Sequence, residues 1–100
     1  MINIENTYLD QVKIINPVIH KDNRGYFFES YNSSNFKLCG KKISFIQDNE
    51  SSSKFGTLRG IHFQTGEWQQ SKLVRVIKGE IQDIAVDLRV DSPTFKEYIS

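Results

Sequence analysis

The sequence holds a single cysteine, Cys39, among its 100 residues, together with only two prolines, one methionine and one tryptophan. One cysteine excludes an internal disulfide and every zinc pattern built from several thiolates. An excess of one charge is also missing. Thirteen Lys and Arg against 12 Asp and Glu leave a net charge of +1, which gives no general attraction for nucleic acid or for an anionic membrane. Any anion site must therefore be local. The opening run from Met1 to Ile15 carries Glu5 and Asp10 and lacks a basic start followed by an apolar stretch, so it does not read as a signal peptide. The cytoplasm is the expected location. Asn32-Ser33-Ser34 and Asn49-Glu50-Ser51 fit the glycosylation acceptor triplet, which matters only in a secreted chain.

What is present suffices for one core and no more. With 38% hydrophobic residues, 12% aromatic and 25% charged, residues 1–100 read as one domain with a solvated surface. Apolar residues alternate over four to eight positions, and Gly, Asn, Asp or Ser clusters separate the runs. This predicts strands near Val12 to Ile19, Gly25 to Tyr31, Lys42 to Asn49, Thr57 to Phe63, Lys72 to Lys78, Glu80 to Leu88 and Phe95 to Ile99. Pro17 cannot donate to a ladder, which confines the first strand to an edge or exchanged position. One short helix is expected, capped by Asn32 or Ser33, running through Phe36 and Leu38 and ending at Gly40. The fold class is all-β, a sandwich or barrel.

A two-residue loop at Lys78-Gly79 would pair Ile77 with Glu80 and fix the register of both flanking strands. Val74 would then face Asp83 and Lys72 would face Ala85, making Lys72 and Asp83 diagonal neighbours on one face, with Asp87 further along it. These three side chains either line a ligand cavity or face water. Gln47 and Asn49 share a strand face by the period of two, so both amides can address one ligand. Arg59 and His62 would lie on opposite faces of a regular strand, but Gly60 between them marks a bulge that can rotate both toward one cavity. A metal is not expected, because the residue two places after His62 is Gln64 and the other histidine, His20, lies beside Asp22 in an exposed loop. Ser51 to Ser53 reads as a polar turn rather than a nucleophile, and Gly56, Gly60 and Gly66 have no phosphate-loop spacing.

Four stretches in order carry a resemblance: DNRGYFFESY (Asp22 to Tyr31), QDNESSSKFGTLRGIHFQ (Gln47 to Gln64), KLVRVIKGEIQDIAVDLR (Lys72 to Arg89) and SPTF (Ser92 to Phe95). Together they resemble the dTDP-4-dehydrorhamnose 3,5-epimerase family. The resemblance implies a double-stranded β-helix barrel of the cupin (jelly-roll) type, with no metal or cofactor, assembled as a homodimer that exchanges N-terminal strands. It further implies inversion at C3 and C5 of dTDP-4-dehydro-6-deoxyglucose, on the route to dTDP-rhamnose and bacterial surface polysaccharide. By the same resemblance His62 matches the general base and Lys72 the residue that stabilises the enolate. Arg24, Glu29, Gln47, Asn49 and Arg59 match substrate-binding positions.

The chemistry suits these residue types. A C4 ketone acidifies the protons at C3 and C5, an imidazole can remove them near neutral pH, and a lysine cation can hold the resulting oxyanion. Two departures stand out. Thr65 to Ser71, TGEWQQS, lacks the prolines usual between the two motifs, and family members are about twice as long, with their tyrosine acid and histidine-orienting aspartate in the further half. Tyr98 does not match that tyrosine; Asp83 is the residue that the hairpin geometry offers as a partner for His62. The chain is therefore expected to be the N-terminal part of such a barrel, which is incomplete in these 100 residues. A non-catalytic nucleotide-sugar binding module and an inactive fragment are the alternatives.

Overall fold

The computed structural model describes residues 2–38 and 41–100. Met1, Cys39 and the expected helix end at Gly40 lie outside the described residues. Eight short strands pair there into four separate two-stranded antiparallel sheets: β1 (Ile2–Asn6) with β2 (Lys13–Pro17), β3 (His20–Asp22) with β4 (Gly25–Phe27), β5 (Lys37–Leu38) with β6 (Lys41–Lys42), and β7 (Ala85–Val86) with β8 (Tyr98–Ile99). The structure is mostly extended, in keeping with an all-β class. One 3-10 turn, Gly66–Trp68, is the helical element among the described residues, and none of their helices is long and apolar enough to cross a membrane.

β1 lies ahead of Val12, where the first strand is expected from the sequence. Ile2 and Ile4 alternate with Asn3 and Glu5, and Ile4 pairs with Ile15 while Ile2 pairs with Pro17. Pro17 thus sits at the end of the ladder, where its missing donor costs least. The Thr7 hydroxyl ties the connection together by reaching the carbonyls of Leu9 (2.9 Å) and Val12 (2.7 Å).

The expected helix after Asn32 does not form. The Asn32 side chain takes the Ser34 amide (3.0 Å) and the Asn35 amide bonds back to the Asn32 carbonyl (3.0 Å), so the residue that would cap a helix closes a turn instead. Tertiary packing then decides the outcome. Phe36, 1% exposed, packs against Tyr31 (centroids 5.1 Å) and Phe45 (6.2 Å), and Tyr31 meets Phe45 edge-on at 5.7 Å. That aromatic trio holds the chain in the β5–β6 hairpin.

The chain bends at Ile77–Gly79, with Gly79 at φ 89°, yet no ladder joins the runs on either side. Ala85 pairs with Ile99 and Val86 with Tyr98, so the register that would set Lys72 beside Asp83 is absent. Strands are likewise not formed over Lys42 to Asn49 beyond β6, or over Thr57 to Phe63 and Lys72 to Lys78. Alternation encodes an amphipathic run, but a strand also needs a neighbouring edge, and these runs have none here. The surface of 9420 Å² compares with about 5,800 Å² for a compact chain of this mass. Phe55, Leu58, Ile61, Phe63 and Trp68 are all exposed.

The best-satisfied polar group is Asp87, buried with its side chain 3% exposed. Its carboxylate accepts from the Arg89 amide (3.0 Å), Arg89 Nε (3.0 Å) and Nη2 (2.9 Å), Ser92 Oγ (2.5 Å) and Thr94 Oγ1 (2.6 Å). Asp87 therefore belongs to this cluster and not to a face shared with Lys72. Arg89 Nη2 also reaches Asp10 (2.9 Å), and Leu9, 3% exposed, sits against Ala85 to Arg89. The Glu97 carboxylate, in hydrogen bond with Tyr8, raises the pKa of that phenol.

Donors from Arg89, then Ser92 and Thr94, hold the Asp87 carboxyl well below the usual carboxylate range. The unfolded chain takes up this proton near about pH 3.9, so the cluster's contribution is full above that pH and is withdrawn as the pH falls below it. Asp87→Asn is expected to remove this acid dependence and to cut hydrogen-exchange protection at the Asp87 and Lys96 amides by about tenfold or more, the scale of a charge-assisted hydrogen bond. Unchanged protection overturns that role. The exposed apolar runs also predict that the 100-residue polypeptide self-associates in sedimentation and melts without a sharp transition. A compact monomer with one cooperative melt contradicts this.

Candidate functional site

The β3–β4 hairpin turns through Asn23 and Arg24, with Gly25 at φ 136° where a side chain would be strained. Asp22 accepts the Arg24 amide at 2.8 Å and its guanidinium at 3.1 Å (Nε) and 2.6 Å (Nη2). Those bonds lower the pKa of Asp22. Both side chains are exposed, so the pair is weak and can open to a competing anion. His20 pairs with Phe27 in the same hairpin; it is exposed as expected but lies on a strand rather than in a loop.

Glu29 follows β4 and is half-buried. Asn32 Nδ2 (3.0 Å) and Asn35 Nδ2 (2.8 Å) donate to its two oxygens and keep the carboxyl pKa low. Gln47 Nε2 donates to Asn49 Oδ1 at 3.3 Å, so the two exposed amides lie side by side although the strand expected there does not form. Arg59 Nε is held by Ser53 Oγ at 2.9 Å across the Ser-rich loop.

Gly60 adopts φ 112°, a conformation open to glycine. A Cβ there would stand 3.3 Å from His62 Cδ2, so the imidazole folds back over the glycine. The bulge expected between Arg59 and His62 does not form, because no paired strand runs through Gly60. His62, Lys72 and Asp83 are exposed, and among the described residues none of the three forms a hydrogen bond or ion pair. Without the Gly79 ladder, Asp83 is not brought to His62. Among the described residues no three His, Cys, Asp or Glu side chains converge to hold a metal ion.

Three segments do come together. A cleft of about 340 Å³ lies between Asp48, Asn49 and Glu50 on one side and Leu73, Arg75 and Ile77 on the other. Arg75 reaches across to Phe28, its guanidinium carbon 5.6 Å from the ring centre. The runs that carry Glu29, Asn49 and Lys72 are thereby neighbours. Arg75 was not singled out in the sequence, because alternation puts it opposite Lys72, with Leu73 and Ile77. A charge inside that otherwise apolar run was the available signal.

The model of a family described as dTDP-4-dehydrorhamnose 3,5-epimerase matches residues 6–100. A protein of that name from Salmonella typhimurium is 49% identical over 100 residues, covering 99% of this chain and 55% of the relative. Another, from Methanothermobacter thermautotrophicus, is 53% identical over 92 residues, 92% of this chain and 49% of the relative. A third, from Pseudomonas aeruginosa, is 48% identical over 92 residues, 91% of this chain and 50% of the relative. The chain thus spans about half the length of these curated relatives. No solved structure matches it. With the family model covering nearly all of its residues, and the motifs around Arg24, His62 and Lys72 inside the matched span, the chain belongs to the dTDP-4-dehydrorhamnose 3,5-epimerase family.

Proposed function

We propose that this chain supplies the substrate-binding wall and the base of an epimerase that inverts C3 and C5 of dTDP-4-dehydro-6-deoxyglucose, giving dTDP-4-dehydrorhamnose for deoxysugar and surface-polysaccharide synthesis. The observation that carries the reading is the family match over residues 6–100, which spans His62 and Lys72. In this mechanism the His62 imidazole removes a proton beside the C4 ketone. The electron pair moves into the carbonyl, and the Lys72 ammonium holds the enolate oxygen. A proton from solvent, delivered to the opposite face, inverts the carbon, and His62 releases to water the proton it took. Asp83 serves as the orienting partner of His62 once its strand is paired. Arg24 and Arg59 bind the diphosphate, Arg24 exchanging Asp22 for phosphate, while Gln47, Asn49 and Glu29 address the nucleotide and sugar.

The reaction needs neither metal nor cofactor, since the ketone supplies the acidity. The assembly in this reading is a cytoplasmic homodimer with exchanged N-terminal strands, drawn from the β1–β2 segment. A jelly-roll barrel of the cupin type would give the unpaired runs around Gln47, His62 and Lys72 their neighbours. A non-catalytic nucleotide-sugar module remains the second reading, favoured by the exposure of His62 and Lys72 and their lack of polar partners among the described residues.

Two experiments separate these readings. In calorimetric titration of the assembled protein, thymidine diphosphate is expected to bind more tightly than adenosine diphosphate, and Arg59→Ala to weaken it by about 1.5 to 3 kcal/mol, the range of a charge-assisted hydrogen bond. Equal affinities for the two nucleotides would count against the site. In deuterium oxide the sugar is expected to take up solvent deuterium at C3 or C5. His62→Asn should abolish this uptake with nucleotide affinity nearly intact, and Lys72→Ala should slow it by about 10² to 10³. Binding without any exchange selects the second reading; full exchange in His62→Asn removes that histidine as base.

A further inference from the structure

We infer that Arg75 is a positioning residue for the nucleotide-binding wall, an inference that rests on the dTDP-sugar reading above. Its guanidinium lies 5.6 Å from the centre of the Phe28 ring, inside the ~6 Å reach of a cation–π contact, and Phe28 immediately precedes Glu29. The same residue lines the cleft shared with Asp48, Asn49 and Glu50. One side chain therefore bears on the runs that carry Glu29 and Asn49 while belonging to the run that carries Lys72. Among the described residues Arg75 has no hydrogen bond or ion pair, so the aromatic face of Phe28 holds it in place.

The charge is as important as the contact. Asp48 and Glu50 border the cleft on either side of Asn49, and two carboxylates beside an amide that is to address a nucleotide diphosphate sugar would repel that ligand. A guanidinium across the cleft offsets both. Arg75 thus does two things without touching substrate: it keeps the Glu29 run against the Lys72 run, and it neutralises the acidic border of the Asn49 amide. Loss of either should appear in affinity more than in turnover.

The test uses the full-length protein and measures Kd for thymidine diphosphate, together with KM and kcat for solvent-deuterium uptake. Arg75→Leu is expected to raise Kd and KM by about 3- to 10-fold, the scale of one cation–π contact, with a smaller fall in kcat. Arg75→Lys keeps a cation over the ring and should return both constants to within about twofold of wild type. Phe28→Leu, which removes the contact and leaves the charge, should fall short of Arg75→Leu, and the double variant should be no weaker than Arg75→Leu alone. Should Arg75→Leu lose its near-ultraviolet circular dichroism, Arg75→Gln takes its place with the same expectations. Wild-type affinity in the uncharged variant, failure of the lysine to rescue, or additivity with Phe28→Leu overturns the inference. A wild type that binds no thymidine diphosphate overturns the site reading itself, and the role of Arg75 with it; a wild type that binds, indifferent to Arg75, overturns only the latter.

Discussion

A carboxylate taken out of water must find donors, and Asp87 finds them within seven residues: the Arg89 amide and guanidinium and the hydroxyls of Ser92 and Thr94. Satisfying that one group bends the chain back through Ser92 to Lys96 and lays β8 on β7. It also orients Arg89 so that its remaining donor capacity is turned to Asp10. The loop after β1 is held there, with Leu9 buried beside it. The donors around Asp87 are close in sequence, and through Arg89 they reach the β1–β2 connection at Asp10.

The sequence could be read where a feature is local. Gln47 and Asn49 differ by two, and their amides do lie together. Gly60 interrupts a run rich in β-branched and aromatic residues, and it does take a backbone conformation that suits glycine. Features that depend on a distant partner were less legible. The turn after Asn32 looked like a helix start because its cap residues are those of a helix, but Phe36 is drawn to Tyr31 and Phe45, and packing outweighed a short segment's propensity. The SPTF stretch was recognisable as a family signature without its role. Its serine and threonine are donors for Asp87, which gives the stretch an architectural role.

The proposed chemistry sets a requirement on the surroundings of His62 and Lys72. Both are exposed here, and an ammonium in water stabilises an enolate far less than one in a dry cavity. Ile61 and Phe63, which flank His62, and Leu73 and Val74, which follow Lys72, are exposed apolar side chains. Covering them would lower the local dielectric around the base and the cation at the same time. On the proposed mechanism, burial of these runs and activation of the site would be one event.

The contact between Arg89 and Asp10 joins positions 79 residues apart. Closing a loop of that size opposes folding by roughly (3/2)RT ln n, about 4 kcal/mol before the constant. An exposed ion pair contributes too little to offset this, whereas burying a leucine contributes about 1.5 to 3 kcal/mol, so Leu9 rather than the ion pair carries most of the closure. Once the ring is shut, the segment from Val18 to Ile84 searches for partners as a chain tethered at both ends. Each further strand pairing within it then closes a shorter effective loop, and the entropy it must overcome is correspondingly smaller. Burial of Leu9 beside Ala85 to Arg89 thereby makes every later pairing in the middle of the chain less costly.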